Sequence, residues 1–259
     1  MAMVLLPPSE TKTSATGNKV LQPQSLAFPE LNPIRERLFD SLIKLSDGSR
    51  SKARTALGIS VKQEWEIERN QILRSAPVGP AWRIYTGVLF DAIGVDSLTS
   101  AQLKKLTTMS YVQSALFGLI SLSDEIPAYR LSGDCTLPKD GTVASLWAKS
   151  ISQILENQNE LIIDMRSGTY VKLGPIPASC ESVVPKILQR MPSGPPKVVS
   201  HHNKATKGRI LRAMVESKSA IKSVDQLGNV IAGLGADVTI KNDKKDSTAI
   251  TMEVVVDVL

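Results

Sequence analysis

Asp164, Arg166, Ser167 and Tyr170 fall within DMRSGTY, where the apolar run LIID ends and a glycine turn begins. In sheets with helical crossovers, ligands bind outside the carboxyl ends of strands. There an arginine offers two parallel donors to a phosphate or carboxylate, and an aspartate can take up a proton. The same spacing also suits a plain internal ion pair between Asp164 and Arg166. A second group lies in SHHNKATKGR, residues 200–209, which holds both histidines of the chain. A helix starting after His202, with Asn203 as its N-cap, puts Lys204 and Lys207 on the side of Ile210, Leu211, Met214 and Val215. Arg209 and Arg212 fall on the other side. Lysines over the apolar edge of a first turn either hold an anion together with the free backbone N–H groups, or lay their stems along the rim of the core.

Two arginine and tyrosine placements add to these. Arg83 and Tyr85 precede a glycine in RIYTG, and Tyr129 and Arg130 sit in PAYRLSGD. Such pairs can stack on a base and hold a phosphate, or simply pack. His201 and His202 in an extended segment point to opposite faces, and no CxxC or HxxxH spacing occurs, so no metal site is expected. His202 alone remains a proton donor or anion ligand. The sequence lacks GxGxxG, GxxxxGK[ST] and GxSxG, and no cofactor is expected.

The elements that must position these residues read as a mixed α/β chain. AMVLL is a short buried strand ended by Pro7 and Pro8, followed by a polar loop. Residues 33–46 form a helix capped by Asn32, with Pro33 at its first position. Helices over 51–56 and from about 61 to 73 flank LGIS. Thr99 or Ser100 caps another helix, and YVQSALFGLIS is a core strand or buried helix. Residues 142–157 are helical, ELIIDMRS is a strand, PPKVVSHH is a strand leading into the basic helix, and AITMEVVVDVL is a strand.

The chain has 259 residues, 42% of them hydrophobic, enough for the core of one large domain spanning 1–259. Its net charge is +6, yet residues 197–222 alone carry seven Lys or Arg against Glu216. The positive field is therefore local. No run of eighteen apolar residues and no signal-peptide pattern occurs, so a cytoplasmic protein with no membrane partner is expected. Cys135 and Cys180 read as free thiols in that compartment.

At YTGVLFDAI, SALFGLISLSDEIPAYRL, LWAKSISQIL, IIDMRSGTYVKL and NKATKGRILRAMV the sequence resembles the peroxide-stress YaaA family. The order and spacing of these motifs agree from the first strand to about residue 220. The resemblance implies a single compact domain of unusual topology, with a central sheet flanked by helices and a helix-hairpin-helix element. It also implies a basic cleft that binds DNA, in a protein that limits oxidative damage. By position, the hairpin falls within 42–68, around Leu57, Gly58, Ile59 and Ser60, whose backbone N–H groups would bind a phosphate. The cleft would comprise Lys12, Arg83, Tyr85, Arg130, Arg166, Lys204, Lys207 and Arg209. The chain departs from the family where a Ser-Pro-Ala-Lys-Thr type motif becomes PPSETKT, which puts Glu10 near the usual lysine and Lys12 further on. It departs again where Arg166 replaces a small residue. Two readings result. In one, double-stranded DNA fills the cleft. In the other, the protein is an enzyme acting on a phosphate-bearing nucleotide or nucleobase, held by Tyr85, Tyr129 or Tyr170. Asp164 or Glu10 would then be acid or base, and His202 or a lysine would stabilise negative charge.

Overall fold

Met3–Leu6 (β1) is buried along its whole length, as a strand covered on both faces must be. The computed structural model describes residues 1–198, 200–241 and 249–257, with the backbone alone for 200–202. After a long loop, Asn32–Ser46 (α1) runs over the helix expected from its apolar spacing. Asn32 does not cap it. Leu31 occupies that position, and the Asn32 Oδ1 instead accepts a 2.8 Å hydrogen bond from Arg35. Arg50–Leu57 (α2) and Trp65–Gln71 (α3) follow, joined by a tight turn at Gly58, which adopts a left-handed conformation. Gly79–Pro80 (β2) leads to the short helices Ala81–Ile84 (α4) and Val88–Ile93 (α5). Ser100–Met109 (α6) starts where Thr99 Oγ1 accepts the Gln102 N–H, as its sequence predicts.

The stretch expected as one core strand or a buried helix is instead a hairpin of Ser110–Ser114 (β3) and Gly118–Ser121 (β4). Gly118 makes the turn possible: its φ is +72°, and an added Cβ would lie 2.8 Å from the Trp147 ring. Glu125–Ile126 (β5) pairs with β2, and Thr136–Leu137 (β6) with Gly141–Thr142 (β7). Val143–Glu156 (α7) begins at a Thr142 cap, and Ile162–Asp164 (β8) is the strand that carries the first candidate cluster. The remaining elements are Gly168–Val171 (α8), Ser182–Gln189 (β9), Ser200–Glu216 (α9), Val224–Ala232 (α10), Asp237–Lys241 (β10) and Ile250–Val256 (β11).

Seven strands form one sheet in the order β10-β11-β9-β8-β1-β3-β4. The pairs among β11, β9, β8, β1 and β3 are parallel, and the two outer pairs are antiparallel. Helices flank this sheet around a single buried hydrophobic cluster. Strand β9 was not foreseen, and PPKVVSHH is not the strand expected. Within it Lys197 makes one bridge to Gln189, residue 199 lies outside the described residues, and helix begins at Ser200. Helix α9 therefore starts three residues before the expected cap, and Asn203 sits inside its first turn. Both cysteines are buried and free. Among the described residues no helix is long and apolar enough to cross a membrane.

Candidate functional site

The parallel strands β1 and β8 end side by side, with Leu5 in register with Asp164. Beyond their carboxyl ends opens a cleft of about 740 Å³. The loop after β1 lines it with Ser9, Glu10 and Thr11, and the segment after β8 with Ser167 and Tyr170. The starts of α5 and α9 close it, α9 contributing Asn203, Lys204 and Lys207. Helix α9 is held at this angle by α5, against which Gly208 packs so closely that an added Cβ would fall 2.3 Å from the Leu89 carbonyl oxygen.

The two lysines face the cleft as the helical spacing predicted. Lys204 is exposed, whereas Lys207 is half-buried and donates a 3.0 Å hydrogen bond to the carbonyl oxygen of Met165. Burial lowers the Lys207 pKa, and the charge of Asp164 partly opposes this. Neither lysine has an ion-pair partner among the described residues. Arg209 is exposed on the other side of the helix and does not line the cleft. His202 belongs to the first turn of α9, not to a strand, and its side chain is outside the described residues.

Asp164 and Arg166 form the internal ion pair. Arg166 donates to both Asp164 oxygens, at 2.9 and 2.8 Å, and from Nη1 to Gln113 Oε1 and the Gly174 carbonyl oxygen. The arginine side chain is fully buried. Its donors are spent on the protein, and both oxygens of the Asp164 carboxylate are engaged by it. Ser167 precedes α8 at the cleft wall, with no capping bond from its side chain. Tyr170 also lines it, its pKa raised by burial and lowered by a hydrogen bond with Ser132.

The other arginine and tyrosine placements diverge from expectation. Tyr85 and Tyr129 are core residues, their hydroxyls 3.0 Å apart, and Tyr129 is also 2.7 Å from Ser114 Oγ. Neither ring is open to a base: Phe90 stacks on Tyr85, Phe117 meets Tyr129 edge-on, and the Lys12 ammonium lies 4.3 Å above the Tyr129 ring. Lys12 is itself buried, donating to the carbonyl oxygens of Ser9 and Glu10, and burial brings its pKa down to about 7. Arg83 stacks on Trp82 at 4.7 Å and borders a different hollow, with Asp91 and Glu125. At the turn between α2 and α3 the N–H groups of Gly58, Ile59 and Ser60 donate to Thr55, Arg54 and the Gln63 side chain. The helix pair is present, but the backbone donors expected to bind a phosphate are consumed within it.

The sequence reading missed Asp134 and Ser132, which line the cleft from the loop after Tyr129. Both lie within the PAYRLSGD stretch, whose glycine and polar residues after a core segment were the available signal. With Glu10, Asp134 gives the cleft two carboxylates to set against its two lysines. Among the described residues no group of three or more His, Cys, Asp or Glu is placed to hold a metal ion.

The chain is similar in sequence to several known proteins. A UPF0246 protein of Corynebacterium efficiens is 39% identical over 96% of this chain and 100% of its own length. A UPF0246 protein of Streptomyces coelicolor is 34% identical over 98% of each chain. An uncharacterized protein of Campylobacter jejuni is 26% identical over 92% of each. Residues 2–234 match the family described as peroxide stress protein YaaA, and the chain belongs to that family.

Proposed function

We propose that this protein serves the peroxide-stress response by binding double-stranded DNA, with a backbone phosphate held by Lys204 and Lys207 in the cleft beyond β1 and β8. The family's description supports the stress role. The observation that carries the binding is the lysine pair in the second turn of the 17-residue helix α9, both side chains lining the cleft. Lys207 keeps an ammonium half-buried against one carbonyl oxygen, with no carboxylate in ion-pair contact among the described residues. Such a charge is costly to bury unless an anion completes its surroundings. Because the Gly58 turn has spent its N–H groups, the helix pair contributes side chains such as Lys52 and not a backbone cradle.

The test is titration of a labelled duplex of about 20 base pairs at two salt concentrations, with AMP or GMP as competitor. Several phosphate contacts make affinity fall steeply with salt. Binding with that slope, unmoved by mononucleotides, supports the DNA reading, and binding indifferent to salt contradicts it.

A second reading, in which the ligand is a free phosphate-bearing nucleotide, is favoured by Glu10 and Asp134. Their carboxylates suit the N–H donors of a base, and a cleft of about 740 Å³ is in the range of small-molecule sites. In an enzyme of that kind Asp164 is committed to Arg166, which leaves Glu10 and Asp134 for proton transfer. Weak duplex binding abolished by a mononucleotide supports this reading.

A further inference from the structure

The two edges of the seven-stranded sheet are finished differently. At one, β4 is buried along its whole length, and Arg35 donates to the carbonyl oxygens of Phe117 and Leu119 beside it. At the other, β10 is exposed at four of its five positions. Among the described residues, the backbone of 237–240 hydrogen-bonds to nothing beyond β11. An antiparallel edge strand leaves the N–H and C=O of every second residue pointing outward, a template for another strand.

The edge reads Asp237, Val238, Thr239, Ile240, Lys241, and it is complementary to its own reverse. Laid antiparallel to a copy of itself about Thr239, it sets Asp237 against Lys241, Val238 against Ile240 and Thr239 against Thr239. The alternation of side chains is kept, with Asp237, Thr239 and Lys241 on one face and Val238 and Ile240 on the other. Neighbouring charges repeat the pattern. Asp237 and Asp257 share Arg190, each at 2.7 Å, so that end of the edge carries a negative charge in excess. Lys241 and Lys186 share Glu253, at 2.8 and 3.3 Å, so the other end carries a positive charge in excess. On the opposite face Val238 and Ile240 lie in register with the buried Val254 and Met252, and Ile240 itself is exposed.

We infer that β10 is a self-complementary interface on which a second copy of this chain docks, the two sheets joining edge to edge across a two-fold axis at Thr239. The axis makes every contact twice, so two Asp237 to Lys241 pairs and two Val238 to Ile240 pairs form together. Opposite charges and β-branched side chains directly across a strand pair are favourable, and like charges there are not. A slip of the register in either direction loses both ion pairs, which fixes the alignment. The axis stands perpendicular to the sheet, so the two clefts face opposite ends of the joined sheet, each separated from the interface by β9, β11 and β10. A patch this short belongs to the weak, concentration-dependent class of interfaces.

The experiment is sedimentation of the full chain over a series from nanomolar to hundreds of micromolar. The mass rises across the series from that of one chain toward twice that value. Asp237→Lys sets like charges against each other at both symmetric contacts and weakens self-association at least about tenfold, and Lys241→Asp does the same. Both positions are exposed. Mixed in equal amounts, the two variants associate again, because each meets the opposite charges of the other. Thr239→Cys reads the register. Residues directly across an antiparallel pair lie about 4.5–5.5 Å apart at Cα, within reach of a disulfide, so oxidation links two chains through position 239. The native Cys135 and Cys180 are buried. A chain that keeps the mass of one copy throughout the series overturns the proposal. So does a dimer indifferent to both charge reversals, or a mixture of the two variants that stays dissociated.

Discussion

The Lys207 ammonium donates to the carbonyl oxygen of Met165 at 3.0 Å, which ties the second turn of α9 to the residue that follows β8. The same burial that makes this contact lowers the lysine's pKa. Raising the pH therefore neutralises Lys207 earlier than an exposed lysine, and phosphate affinity falls with it. Lys207→Arg, which keeps its charge throughout, moves that loss to higher pH. Duplex titrations across alkaline pH check this, and superimposable profiles for the two proteins contradict it.

Asp164 holds a guanidinium that no solvent reaches. Asp164→Asn leaves that cation buried without its counter-charge, and breaking a buried pair from one side costs about 3–5 kcal/mol. Urea unfolding reads this as a large fall in midpoint. A change of less than about 1 kcal/mol, the range of surface pairs, counts against a structural pair.

Lys12 gives stability an alkaline dependence. In the folded protein it releases its proton near pH 7, whereas the unfolded chain keeps it up to the ordinary lysine value of 10.5. Between those values the unfolded state binds more protons, so the Lys12 contribution to stability rises with pH. Below about 7 the cost of burying the charged form is fully present. Comparing unfolding of wild type and Lys12→Met from pH 6 to 10 isolates the contribution. The gap between them narrows as pH rises, and parallel curves rule the assignment out.

Gly208 is the point of closest approach between α9 and α5. Alanine would ordinarily favour a helix interior by about 1 kcal/mol. Here its Cβ would lie 2.3 Å from a backbone oxygen and 2.8 Å from the Ala92 Cβ, so the helices must separate. Gly208→Ala should cost about 1–3 kcal/mol and weaken duplex binding, because Lys204 and Lys207 move with α9. Gly168→Ala, in open space at the cleft wall, is the control and stays within about 0.5 kcal/mol. Equal melting temperatures for the two variants would disprove the argument.

Many elements were legible because apolar spacing and capping residues act locally: β1 with its two prolines, α6 with Thr99, α7 from its apolar spacing, and β8. Strand β9 was hidden by Pro185, which argues against a strand. It is tolerated because the ladder to β8 ends at Val183, leaving β9 unpaired on that side. The lysines of α9 were legible from helical geometry. The burial of Tyr85, Tyr129 and Lys12 was not, since neighbours distant in sequence bury them. Nor could the sequence say that Arg166 is satisfied while the buried Arg130, with Glu10 at 3.3 Å and no partner for its Nε, is not, a difference set entirely by which acceptors the fold brings near.

The most direct test of the cleft is the salt dependence of duplex binding by wild type and the double variant Lys204→Gln/Lys207→Gln. Each phosphate contact contributes about one to the slope of log affinity against log salt. Because the two lysines share one phosphate, the account predicts a slope smaller by about one, with weaker binding at every salt concentration. An unchanged slope would mean that no phosphate lies on these lysines, and would contradict it.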